Sequence, residues 1–135
     1  MLKLIIGVKG TGKTKTLINM VNTAVENSHG NVVCIEKGVK LRYDVKYRAR
    51  LINTEEYQIN DEKSLYGFIA GILASNHDVT DLFIDSALKI CKNDLESFDI
   101  LVADLDNLVE KVGVNLVITS SIPTEEASET VKKYL

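Results

Sequence analysis

Residues Gly7-Val8-Lys9-Gly10-Thr11-Gly12-Lys13-Thr14 fit the pattern Gly-x-x-x-x-Gly-Lys-[Ser/Thr] without a mismatch. Glycines at these positions let the backbone turn through positive φ and bring its N–H groups against oxygen atoms with no side chain in between. Those amides, with the positive end of a following helix, make an anion-binding concavity. In this pattern the Lys13 ammonium reaches the β and γ phosphates of a nucleotide, and the Thr14 hydroxyl holds Mg²⁺. Gly7, Gly10, Thr11, Gly12, Lys13, Thr14 and Lys15 are therefore the expected nucleotide-binding residues. A glycine-rich turn that binds nothing needs neither the lysine nor the threonine.

The elements around this loop are the ones such chemistry requires. Met1–Ile6 is a short apolar run suited to a buried strand. Lys13–Asn27 reads as a helix, with Leu17, Ile18, Val21 and Val25 on one stripe and Gly30 as its expected C-cap. Residues 31–36 form a second buried strand ending on Glu36, so strand, helix and strand make a right-handed βαβ unit. A short third strand is expected at Arg50–Asn53. A helix capped by Asn60 or Asp61 follows, its buried face marked by Leu65, Phe68, Ile69, Ile72 and Leu73. Residues 81–85 read as an apolar strand ending on Asp85, and a long amphipathic helix spans about 93–112 with Gly113 as its stop. Residues 114–119 make a further strand, running into Ser120 and Ser121. Pro123 and Thr124 start a last helix, acidic in its first turn and basic in its last.

In an open parallel sheet, ligands sit beyond the carboxyl ends of the strands. That rule gathers the Gly7–Thr14 loop, Glu36, Asp85 and the hydroxyls of residues 119–121 around one nucleotide. Asp85, ending an apolar strand downstream of the loop, is the expected second metal residue beside Thr14.

Size and composition set the frame. With 135 residues the chain suits one domain, here a nucleotide-binding domain over 1–135. Hydrophobic content of 45% with 26% charged is that of a soluble globular protein, and the net charge of −3 argues against general affinity for nucleic acid or anionic membrane. Two cysteines are too few for a disulfide framework, and neither a signal peptide nor a membrane span is read. The expected setting is cytoplasmic.

The loop, the run Leu82-Phe83-Ile84-Asp85 and the hydroxyl-ended strand at 114–119 together resemble a P-loop NTPase of the additional-strand class. That class includes AAA+ proteins, RecA recombinases and the retraction ATPases of type IV pili. The resemblance implies an α/β three-layer sandwich with a mostly parallel five-stranded sheet, in which the strand at 114–119 lies between the loop strand and the Asp85 strand. It implies ATP and Mg²⁺ as cofactors, and a γ-phosphate contact from Thr119 or Ser120. Many members carry a glutamate directly after the Walker B aspartate to activate water; here that residue is Ser86. RecA-like and pilus-type members place the acid at the end of the strand after the loop helix, which maps onto Glu36. Glu36 and Lys13 are thus the catalytic candidates, the alternative for Glu36 being an ordinary strand-end acid. The pilus ATPases' separate N-terminal domain and intervening motifs have no counterpart, so a motility role does not carry over.

ATP is preferred over GTP because Asn-Lys-x-Asp is absent and the residues after Asp85 lack the Asp-x-x-Gly switch. The expected function is Mg²⁺·ATP binding with slow hydrolysis, completed by self-association or a protein partner. The alternatives are a non-hydrolysing switch or assembly module and a small-molecule kinase. Residues 37–50 hold six basic residues against Asp44, with Tyr43 and Tyr47 interleaved, and include every arginine of the chain. Their alternation suggests a hairpin or extended excursion. Three readings stand for this segment: a solvated hairpin, an arginine finger acting across a subunit boundary, and a contact for single-stranded nucleic acid.

Overall fold

The computed structural model describes residues 1–135. Five strands, β1 (Leu2–Ile6), β2 (Asn31–Glu36), β3 (Arg50–Asn53), β4 (Val79–Ile84) and β5 (Asn115–Ser120), form one sheet in the order β1-β5-β4-β2-β3. Every pairing is parallel. β5 lies between β1 and β4, as the resemblance implies.

The strands are apolar on both sides because both faces are covered. Leu82 and Ile84 of β4, Val33 and Ile35 of β2, and Leu116 and Ile118 of β5 point to one face. There they meet α2 (Glu62–Ser75), the short α3 (Ala87–Ile90), α4 (Leu95–Val112) and Val131 of the short α5 (Glu129–Lys132). Phe83, Val32, Cys34 and Val117, the intervening residues, point to the other face. That face is covered by Leu17, Val21 and Val25 of α1 (Lys13–Asn27) and by Leu41, Val45 and Ala49 of the following connection. The result is a three-layer α/β sandwich.

Local chemistry sets the helix ends. Asp61 and Ser64 form a reciprocal capping box on α2. Asp94 caps α4, and Gly113 at φ 76° stops it in the left-handed conformation.

Three sequence expectations change. Residues 37–49 are not a hairpin; they form successive turns packed on α1. The residues that bury there, Leu41, Val45 and Ala49, are four apart, whereas alternation in the sequence suggested a period of two. The Asn22 side chain donates to the Asp44 carbonyl and accepts from the Lys46 amide, fixing the turns to the helix. This segment stands where a crossover between parallel strands usually has a helix. Gly30 is not the C-cap of α1: Ser28 occupies that place, in extended conformation. A Cβ on Gly30 would instead collide with the Asp78 carbonyl oxygen, so the glycine permits a close backbone approach. The last helix is interrupted. A 3-10 turn at Thr124–Glu126 is followed by α5, which has its own cap at Ser128.

Candidate functional site

The loop between β1 and α1 has the geometry that its glycines anticipate. Gly7, Gly10 and Gly12 hold φ of 151°, 87° and 84°, values that an L side chain rarely adopts. Gly12 immediately precedes α1, and no side chain caps that helix. Most helices satisfy their first amides with a serine, threonine, aspartate or asparagine. Here the exposed loop leaves those donors at the mouth of a cavity, so they are free to bind an anion.

That cavity has a volume of about 340 Å³ and no hydrophobic residue in its wall. Gly10, Gly12, Lys13, Thr14 and Lys15 contribute one side, Glu36 and Asp85 the floor. It lies beyond the carboxyl ends of β2, β4 and β5, where the sheet rule places ligands. A larger cavity, about 520 Å³, lies at the other end of the sheet among Met1, Lys3, Asp81 and Asn115. It gathers none of the chemistry-bearing groups.

Asp85 organises the floor. Its carboxylate accepts from the Thr14 hydroxyl at 3.2 Å and 3.3 Å and from the Thr119 hydroxyl at 2.7 Å. Thr119 in turn accepts from the Ser86 amide at 2.9 Å, which fixes the turn after β4. A hydroxyl and a carboxylate in contact, both hard oxygen donors, fit Mg²⁺, which takes one or two protein ligands and completes its shell from phosphate and water. No cluster of three or more His, Cys, Asp or Glu side chains suited to a metal ion exists elsewhere in the chain.

The Lys13 ammonium donates to the Val8 carbonyl at 2.9 Å and lies 3.5 Å from the Thr11 hydroxyl. Thr11 also donates to the Val8 carbonyl, at 2.8 Å, tying the loop across its own tip.

Glu36 is 3% exposed. Its carboxylate accepts from the amides of Lys40 at 3.0 Å and Leu41 at 3.3 Å. Burial pushes its pKa up; the two amides oppose this, and the charge of Asp85 adds to it. Glu36 thus faces the cavity and also holds the connection that follows β2. Burial likewise raises the thiol of Cys34, two residues before Glu36 on the same face of β2, with Asp85 and Glu36 adding to the shift.

Of the sequence-expected residues, Gly10, Gly12, Lys13, Thr14, Lys15, Glu36 and Asp85 line the cavity, whereas Gly7, Thr11 and Thr119 do not. Thr119 lies behind Asp85, 1% exposed, with its hydroxyl committed to that carboxylate. Ser120 is equally buried and accepts from the Leu88 amide. Ser121 is the hydroxyl residue that lines the cavity. Sequence reasoning missed Lys37, Lys40 and Lys89 as wall residues. Lys37 and Lys40 were visible as charge in the basic segment. Lys89 rides on α3, which is too short for periodicity to reveal.

The arginines of the basic segment are unequally free. Arg48 donates to the Val25 carbonyl near the end of α1, and Lys46 pairs with Glu26. Arg42 lies 5.0 Å over the Tyr43 ring, and both Tyr43 and Tyr47 are exposed. No helix is long and apolar enough to cross a membrane.

No protein-family model matches the sequence, and no curated protein does. Solved structures do match the fold. A KaiC-like protein from the hyperthermophilic archaeon Pyrococcus horikoshii superposes with a TM-score of 0.72 at 15% identity, over 98% of this chain and 66% of its own. The flagellar accessory protein FlaH from Methanocaldococcus jannaschii gives 0.67 at 15% identity, over 98% of this chain and 65% of its own. The chain thus spans a little under two thirds of the length of these neighbours. At this identity the likeness carries fold alone, and with the sheet order and the loop geometry it gives a RecA-like P-loop α/β fold.

Proposed function

We propose that this chain binds Mg²⁺·ATP, with the triphosphate on residues 7–15 and the metal held by Thr14 and Asp85. The observation that carries the reading is the contact between Thr14 and Asp85 beneath an uncapped helix. Those two residues are 71 positions apart, yet the fold sets their oxygens side by side at the mouth of α1. Lys13 supplies the cation for the β and γ phosphates. The test is thermal unfolding with and without Mg²⁺·ATP. Binding raises the melting temperature of the wild type, and Lys13→Ala abolishes the rise. An unchanged wild-type curve at millimolar ATP would overturn the proposal.

Hydrolysis is the finer question, and Glu36 favours a slow or gated enzyme. The Lys40 and Leu41 amides use part of the carboxylate's acceptor capacity and fix its orientation, so its access to water depends on the 37–41 turn. Self-association or a protein partner acting on residues 37–50 is the proposed trigger. In its absence the chain acts as a nucleotide-dependent switch. Phosphate release by wild type and Glu36→Gln, compared over a range of protein concentrations, separates the two. Equal and negligible rates throughout exclude the ATPase.

A further inference from the structure

We propose that a cavity adjoining the phosphate cradle is a second anion subsite, which takes a small phosphate monoester beside the nucleotide. The proposal rests on the nucleotide reading above and names a co-ligand for it. The adjoining cavity measures about 320 Å³ and shares Lys37 and Lys89 with the cradle as a common wall. Lys92, Glu55, Gln58 and Asn60 line it further out. Lys37 follows β2, Glu55 and Gln58 follow β3, and Lys89 and Lys92 follow β4. It therefore opens along the same carboxyl edge of the sheet where ligands are expected.

Charge identifies the ligand class. Lys9, Lys13, Lys15, Lys37, Lys40, Lys89 and Lys92 line the two cavities, against Glu36, Asp85 and Glu55. The net charge of this wall is positive on a chain whose overall charge is −3. None of the seven lysines forms an ion pair; the chain's ion pairs use Lys46, Lys132 and the terminal amine. Converging like charges in a cleft focus a positive potential, which concentrates anions there. A triphosphate partly neutralised by its own Mg²⁺ leaves much of that charge unmatched. A phosphate monoester, carrying about −1.5 to −2 at neutral pH, supplies the remainder.

Size and lining narrow the class further. A cavity near the lower end of the range for small-molecule sites admits a compact ligand. Its wall has no aromatic ring on which a base would stack and only Ile59 and Ile90 as apolar residues. Gln58 and Asn60 offer amide groups suited to hydroxyls of a small polar body.

The test is calorimetric titration of inorganic phosphate at low ionic strength into the full chain saturated with Mg²⁺ and the β,γ-imido analogue of ATP. That analogue fills the γ position, so phosphate binding reports a different site. The expected result is one further saturable site. Lys92→Gln weakens it about fivefold, the effect of one exposed charged contact, and Glu55→Gln tightens it. Neither change alters analogue affinity. Absence of saturable phosphate binding with the analogue bound, or indifference to both substitutions, overturns the proposal. If the analogue itself does not bind, the nucleotide reading fails. The phosphate titration is then run on Lys13→Ala: binding that depends on Lys92 sustains the subsite, and no binding refutes it.

Discussion

Replacing Glu36 with alanine and with glutamine separates its structural role from its chemical one. Alanine removes the acceptor for the Lys40 and Leu41 amides. Each buried donor left without a partner costs about 1–3 kcal/mol. Leu41 is 2% exposed while Lys40 is open to water, so one amide bears most of this penalty. Relief from burying a carboxylate offsets part of it, leaving a destabilisation of about 2 kcal/mol. At about 2.1 cal/mol/K per residue, that lowers the melting temperature by roughly 7 °C. Glutamine keeps an acceptor oxygen without the charge, and its stability at pH 7 should equal or exceed the wild type's. The sign with pH follows from the raised pKa. In the folded chain Glu36 holds its proton more tightly than its ordinary value of 4.5 implies. Its contribution is most favourable below that value and is lost as pH rises through the elevated folded value. The stability of wild type minus that of Glu36→Gln should therefore fall as pH is raised from about 4.5. Denaturant unfolding between pH 4 and 8 measures it. An alanine variant within about 0.5 kcal/mol of wild type at pH 7, or a glutamine variant as damaged as alanine, would refute the reasoning.

Further outcomes follow from other parts of the structure. Asp85→Asn should fold, since an amide oxygen can still accept from Thr119, yet lose the Mg²⁺ dependence of ATP-induced stabilisation; a retained dependence, read by thermal shift, would remove Asp85 from the metal site. Gly30→Ala should cost about 2–3 kcal/mol because its Cβ meets the Asp78 carbonyl, a backbone atom that cannot swing aside; an unfolding midpoint matching the wild type's would contradict that packing. Cys34 and Cys91 are buried, and burial pushes the Cys91 thiol up to about 12. Both should react with a disulfide reagent only as fast as the chain opens, and rapid labelling in native buffer would argue against this core.

Much of the site was legible in the sequence because its chemistry is local. Residues 7–14 specify the loop, since positive φ at Gly7, Gly10 and Gly12, with Lys13 and Thr14 after them, is a short-range property. The place of Asp85 at a strand end followed from the apolar run before it, and the resemblance implied that β5 lies between β1 and β4. The turns at 37–49 were not legible. Alternation in sequence competes there with burial of Leu41, Val45 and Ala49 against α1, and only the presence of that helix decides between them. Gly30 was misread for a similar reason. The partner that demands a glycine, the Asp78 carbonyl, is remote in sequence and arrives only when β2 pairs with β4.

The sequence by itself determined a glycine loop of positive φ ahead of a helix and which strand-end residues lie near it, because backbone conformation and apolar periodicity act over a few residues. Tertiary structure alone decided what those side chains touch. It turned Thr119 toward Asp85, tied Glu36 to the amides of the next turn, and drew lysines from three separate segments to one edge of the sheet. Hydrogen-bond partners and electrostatic fields depend on distance in space, and that distance is set only when the sheet closes.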